Sequence, residues 1–151
     1  LKDGDFVLWE SNTILRYLSR KEGKVLLPAD PKAAALAEQW IDWQTTNYNT
    51  QLGPAFINMI RTPPEKRDMA AVETARKNTI ARAKILDAHL GKNAYVAGDK
   101  FSMGDIPAAI TTFRFWQLVP EHPPLPNVRR WYDAIAARKP FQEHVGSIKL
   151  T

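Results

Sequence analysis

Phe101-Ser102-Met103-Gly104-Asp105-Ile106 reads as a helix start specified at every position. Ser102 suits the N-cap, where its hydroxyl can accept from an amide that has no partner inside the helix. Asp105, three residues later, can reach back to the Ser102 amide to complete a capping box. Phe101 and Ile106 flank the box at the spacing of a hydrophobic staple, which sets the angle of chain entry. Such a start implies a helix packed hard against neighbours, and the flanking sequence supplies them.

Toward the C-terminus, Asn127 is placed to cap a helix with Val128, Trp131 and Ile135 on one face, and Pro140 should end it. Toward the N-terminus, Thr62-Pro63-Pro64-Glu65 has the capping-box pattern with Pro63 at the first helical position. Met69, Val72, Ile80, Ala83 and Leu90 then recur at helical spacing up to Gly91. An earlier helix opens at Asp30-Pro31 and carries Leu36, Trp40, Trp43 and Asn47, and Gly53-Pro54 should kink or interrupt it. Val25-Leu26-Leu27-Pro28 reads as an apolar linker. Before it, Ser11 can cap a helix bearing Ile14, Leu15 and Leu18, with Gly23 as its stop.

The first nine residues break this helical pattern. Asp3-Gly4 is a hairpin turn signal, and Asp5-Phe6-Val7-Leu8-Trp9 comes next as a short strand. A strand without a partner leaves backbone groups unpaired. The expectation is therefore that its partner strands lie upstream of Leu1, and that the chain is a bundle of about five helices behind a strand–helix remnant.

Composition sets the outer bounds. The chain has 151 residues, 44% hydrophobic and 25% charged, enough to bury a core and too apolar for disorder. It contains no cysteine, which excludes disulfides, thiolate metal sites and a cysteine nucleophile within these residues. The net charge of +5 comes from basic pairs scattered from Arg20-Lys21 to Arg138-Lys139. Nucleic-acid readers more often gather their charge in one stripe, so solvated helix faces are the expectation. No apolar run reaches membrane-spanning length, and no leader pattern is present. His89, His122 and His144 are too dispersed for a local metal motif and are expected to be structural or exposed.

Two groups of residues could carry chemistry. Glu10-Ser11 lies where the strand ends and a helix begins. Free amides and the helix dipole there favour a carboxylate, Ser11 adds a donor, and Glu10 can accept from an ammonium group. Such a pair suits an amino-acid head group, although spacing alone favours a plain N-cap preceded by an exposed acid. Trp40, Trp43, Tyr48 and Phe56 share one helical region and read mainly as packing, with a minority free to line an apolar pocket.

These residues resemble a known family. The stretch from Asp3 through Glu10-Ser11 to Ile14 is similar to the end of the thioredoxin-like domain of cytosolic-type glutathione S-transferases. Tyr95 to Pro107 resembles that family's helical-domain capping motif, and Asn127 to Pro140 its closing helices. Trp40-Ile41-Asp42-Trp43-Gln44 and Arg61-Thr62-Pro63-Pro64-Glu65 look most like bacterial members.

The resemblance implies a mainly α fold. Residues 1–27 would be the C-terminal remnant of a thioredoxin-like glutathione-binding domain plus linker, and residues 28–151 an all-helical domain. It implies that Glu10 and Ser11 bind the γ-glutamyl end of glutathione, and that Ser102 and Asp105 serve folding. Trp40, Trp43, Asn47 and Tyr48 would belong to the region that shapes the hydrophobic substrate pocket and the dimer interface.

The implied activity of the complete protein is transfer of the glutathione thiol to small hydrophobic electrophiles, by a cytoplasmic homodimer without a metal. No nucleic-acid or membrane partner is implied. The family's activating Tyr, Ser or Cys and its cis-proline precede the Glu-Ser pair in segments absent from this sequence, so the catalytic residue is not contained here. A non-catalytic binding or dimerisation module, and a glutathione-dependent reductase or isomerase, are the alternatives.

Overall fold

The computed structural model describes residues 1–22 and 26–150. Gly23, expected to stop the first helix, and Val25 of the apolar linker lie outside the described residues. The described residues are mainly helical, with one small hairpin at the start.

The strand after the turn has a local partner. β1 (Lys2–Asp3) pairs antiparallel with β2 (Phe6–Val7), with Lys2 opposite Val7 and Asp3 opposite Phe6. Gly4 adopts φ 60°, the left-handed backbone that a tight hairpin turn asks of a central residue. The Leu8 amide extends the pairing to the Leu1 carbonyl at 3.0 Å.

Helix α1 (Ser11–Lys21) begins soon after the hairpin, and Ser11 is its first residue rather than its cap. Glu10 occupies the cap position and makes no side-chain cap bond. Helix α2 (Pro31–Trp43) starts as the sequence dictates: Asp30 accepts from the Ala33 amide at 2.9 Å and Pro31 takes the first position. Gly53-Pro54 does not interrupt the helical path, because α3 (Asn49–Phe56) runs through it. The irregularities lie on either side, as widened turns at Gln44–Tyr48 and Ile57–Arg61. Side chains take up carbonyls that these segments leave over: Thr50 donates to the Thr45 carbonyl at 2.8 Å and Asn58 to that of Pro54 at 3.0 Å.

The Thr62–Glu65 capping box does not form. Thr62 Oγ1 instead bonds back to the Ile57 carbonyl at 3.1 Å, and Pro64–Lys66 make one tight turn. Helix α4 (Met69–Leu90) begins later, capped by Asp68, which accepts from the Ala71 amide at 2.9 Å. Its buried stripe is Val72, Ala75, Thr79, Ala83, Leu86 and Leu90. Met69, expected on that stripe, is 47% exposed.

Helix α5 (Asp105–Leu118) confirms the reach-back of Asp105 and enlarges it. Asp105 is completely buried. Its Oδ2 accepts from the Ser102 amide at 2.8 Å and the Ser102 hydroxyl at 3.1 Å. Its Oδ1 accepts from the Val96 amide at 2.9 Å and Trp131 Nε1 at 2.8 Å. Ser102 Oγ faces the Gly104 amide at 3.3 Å. Helix α6 (Pro126–Ala136) carries Trp131 from the far side of the bundle. Asn127 is not its cap, because Pro126 already holds the first helical position and Leu125 the cap position. The Asn127 amide is instead capped by Asp87 of α4. Nor does Pro140 end it; α6 stops at Ala136, and Pro140 sits in a further short turn, Lys139–Phe141.

The core gathers around Trp131, Tyr48, Phe115, Leu52 and Leu86, all completely or almost completely buried. A smaller cluster of Ala37, Ile41, Ala97 and Met103 receives Leu15, Leu26 and Leu27, which fastens α1 and the linker to the bundle. The Met103 amide seals that join by donating to the Leu26 carbonyl at 2.9 Å. The site at the head of α1 therefore sits on a fixed base.

Candidate functional site

Glu10 is the one non-glycine residue with positive φ among the described residues, at φ 68° and ψ 113°. A side chain there strains the backbone, and such strain persists only where surroundings impose it. Directly after it, the first helical bond of α1 runs from the Ile14 amide to the Glu10 carbonyl at 2.9 Å. The amides of Ser11, Asn12 and Thr13 therefore precede the helix's own bonding and carry the positive end of its dipole.

Three side-chain pairs hold α1 antiparallel to the α2 segment. Asn12 Nδ2 donates to Thr45 Oγ1 at 2.8 Å, Arg16 pairs with Asp42, and Arg20 pairs with Glu38. On the other edge, Asp3 accepts from Tyr17 and pairs with Lys21, tying the hairpin to α1. The Lys21 ammonium and the Tyr17 hydroxyl hold the Asp3 carboxyl below the usual carboxylate range. Helix α1 is thus tied on two sides, to the α2 segment and to the hairpin.

A cleft of about 280 Å³ opens beside it. Ser11 and Asn12 form one wall, and Gln44, Thr45 and Asn49 another. One face of α5 closes it, with Ile110, Thr111 and Arg114. Gln44 is oriented by donating to Thr111 Oγ1 at 2.7 Å. The cleft can receive an amphipathic molecule: polar groups line two walls, while Leu15, Ile106 and Ile110 supply apolar surface.

The sequence-selected residues divide. Ser11 lines the cleft and Glu10 immediately precedes it, whereas Trp40, Trp43, Asn47 and Tyr48 do not line it. Trp40 and Tyr48 are core residues. Trp40 packs against Trp43 at 4.9 Å between ring centres and against His89 at 4.5 Å, and Tyr48 faces Phe115 at 6.4 Å. Burial pushes the Tyr48 phenol well up. The residues that do line the cleft are close neighbours in sequence, Gln44, Thr45 and Asn49. Sequence reasoning passed over these because it followed the aromatics, and aromatic rings in a helix usually turn to the core.

Histidines 89 and 122 are engaged in packing: each ring bonds a backbone carbonyl at 2.9 Å, and His122 lies tilted against Trp116 at 4.9 Å between ring centres. Among the described residues, no group of three or more His, Asp or Glu is placed to hold a metal ion. No described helix is long and apolar enough to cross a membrane.

Comparison with known proteins identifies the family. A family model, the C-terminal domain of glutathione S-transferase, matches residues 50–139. The glutathione S-transferase GstB of Escherichia coli is 36% identical over 137 residues, which is 90% of this chain and 66% of that protein. Glutathione S-transferase 3 of Zea mays is 37% identical, with 99% of this chain and 71% of that protein covered. Among solved structures, the theta class glutathione S-transferase of Xanthomonas axonopodis pv. citri with glutathione bound superposes with a TM-score of 0.93. The identity there is 34%, over 99% of this chain and 72% of that one. The chain thus spans about two thirds of the length of the curated relatives it matches. It belongs to the glutathione S-transferase family.

Proposed function

We propose that residues 1–27 close a thioredoxin-like glutathione-binding domain, that residues 28–151 form the all-helical domain beside it, and that Glu10 and Ser11 bind glutathione between them. The observation that carries this reading is Glu10 itself: a strained non-glycine residue placed directly before three unengaged helix amides, at the edge of a cleft. Those amides and the Ser11 hydroxyl suit the α-carboxylate of the γ-glutamyl group. The Glu10 carboxylate suits its ammonium. The strain is consistent with a backbone held in register for a ligand.

The corresponding activity is transfer of the glutathione thiol to a small hydrophobic electrophile. The thiolate forms a carbon–sulfur bond, the leaving group departs with its electron pair, and the thiol proton passes to solvent. The rate of such a step depends on the thiolate fraction, so a group that lowers the thiol pKa is required. Neither Glu10 nor Ser11 does that; their part is to bind and orient. A homodimer joined through the α2–α3 region, and a cytoplasmic location, belong to the same reading.

Titration calorimetry with reduced glutathione tests it. The complete protein should bind, and its Glu10→Ala/Ser11→Ala double variant should lose about tenfold or more in affinity, the scale of one or two charge-assisted hydrogen bonds. Unchanged affinity in that variant would sink the assignment of the site.

A further inference from the structure

Arg114 is the single charged side chain among the residues that line the cleft, and no acidic residue lines it. It stands on the cleft-facing edge of α5, one helical turn beyond Ile110 and Thr111. Among the described residues it has neither a salt-bridge partner nor a hydrogen-bond acceptor, unlike Arg16, Arg20 and Arg76, which are all paired. What holds it is the face of Phe56, whose ring centre lies 5.1 Å from the guanidinium carbon. A half-buried guanidinium is thus fixed at one end of an amphipathic cleft with its donors unspent, while the α1 amides stand at another wall.

We propose that Arg114 selects electrophiles that carry an anionic group, its guanidinium taking a carboxylate or sulfonate while the ring of the electrophile lies on Ile106 and Ile110. The inference rests on the reading of this cleft as the electrophile site beside glutathione. The physical grounds are direct. A guanidinium presents paired donors in the geometry of a carboxylate. No carboxylate of the cleft lining competes for it. Its cation–π contact with Phe56 favours the cleft-side position, so less freedom is lost when the anion arrives. A neutral electrophile would find the same apolar surface and leave Arg114 solvated, so the selectivity lies in the charge.

The matched probes are 4-chloro-3-nitrobenzoate and its neutral amide, 4-chloro-3-nitrobenzamide, titrated into this chain and monitored by amide chemical shifts. The benzoate should bind about tenfold more tightly than the benzamide. Arg114→Gln should abolish that difference while leaving benzamide binding within about twofold, and Arg114→Lys should restore part of it. Equal binding of the two probes to the wild-type chain, or binding of neither at millimolar concentration, overturns the proposal. So does an Arg114→Gln variant that keeps the preference.

A parallel titration with glutathione separates the two readings. If Arg114→Gln also weakens glutathione about tenfold, the guanidinium belongs to the glutathione site and the selectivity assignment fails. If glutathione binding by the complete protein does not depend on Glu10 and Ser11 while the benzoate preference depends on Arg114, the glutathione reading fails and the anion site stands. Near-wild-type far-ultraviolet dichroism and melting temperature in each variant exclude unfolding as the cause.

Discussion

Asp87, near the end of α4, caps helix α6 forty residues later in sequence: its Oδ1 accepts from the Asn127 and Val128 amides, both at 2.9 Å, and its Oδ2 from Asn127 Nδ2 at 3.0 Å. One carboxylate thus satisfies two orphan amides of α6 and complements the dipole there. Asp87→Ala should cost about 1–3 kcal/mol, more than a typical local cap because it also unties α4 from α6. Asp87→Asn should recover part of that, since one oxygen still accepts. Urea unfolding monitored by tryptophan fluorescence reads both; a change within experimental scatter for Asp87→Ala would refute the capping role.

The Asp105 carboxylate joins three parts of the chain, Val96, Ser102 and Trp131. Asp105→Ala would leave the Val96 and Ser102 amides and the Trp131 indole N–H buried without acceptors, at about 1–3 kcal/mol each. The chain should then fail to fold or lose most of its stability. Trp131→Phe removes one donor and keeps the ring volume nearly intact, and should cost about 1–2 kcal/mol. Chemical denaturation of the two variants tests the order of these effects.

Asp105 also gives the fold a pH signature. Burial raises its pKa, and the four hydrogen bonds to Val96, Trp131 and Ser102 only partly pull it back. A group whose folded pKa lies above its unfolded value adds stability that is complete below the unfolded value. That stability is lost as pH rises through the folded one. The wild-type chain should therefore gain stability relative to Asp105→Asn as pH is lowered from 7 toward 4. Asp3, whose shift is in the opposite direction, is common to both proteins and cancels in the difference. A gap that narrows on acidification would show that the hydrogen bonds outweigh the burial.

Gly104 lets α5 start against α2. A β-carbon there would lie 2.9 Å from both the Cα and the carbonyl oxygen of Ala37, atoms of a helix backbone that cannot turn aside. Gly104→Ala should cost about 1–3 kcal/mol by forcing the two helices apart. Its melting temperature should fall, while Gly53→Ala, where nothing lies within 4 Å, should be neutral or slightly stabilising.

Glu10 offers a trade of stability against binding. Glu10→Gly relieves the positive φ and should stabilise the chain by about 1 kcal/mol, less whatever flexibility glycine adds to the unfolded state. The same change removes the proposed ammonium acceptor, so glutathione affinity should fall. Paired melting and calorimetry distinguish the two effects; lost stability in Glu10→Gly would mean that the backbone there is not strained.

Helix starts were legible where the capping group is local. Asp30 caps α2 before Pro31, and Asp105 reaches back to the Ser102 amide, because donor and acceptor are within three residues of each other. Ser102 itself is not the cap, since Gly104 holds that position. Starts fail to be legible where the cap comes from elsewhere. Asn127 has the composition of a cap, yet Asp87 performs the task from another helix. Thr62 has the pattern of a cap, yet its hydroxyl is claimed by the Ile57 carbonyl, and Asp68 starts the helix instead.

The site shows the same division. Glu10-Ser11 could be singled out in the sequence because the elements of a head-group site, an acid, a hydroxyl and free helix amides, are contiguous. The cleft itself could not, because Gln44, Thr45 and Arg114 reach it from elsewhere in the bundle.

By itself the sequence determined the mainly helical fold class, since helical periodicity is a property of neighbouring residues. Only the tertiary structure decided that Trp40 and Tyr48 face the core while Gln44, Thr45 and Asn49 face the cleft. A widened turn at Gln44–Tyr48 departs from regular helical spacing, and no pattern of 3.6 residues can announce which side chains face which way across it.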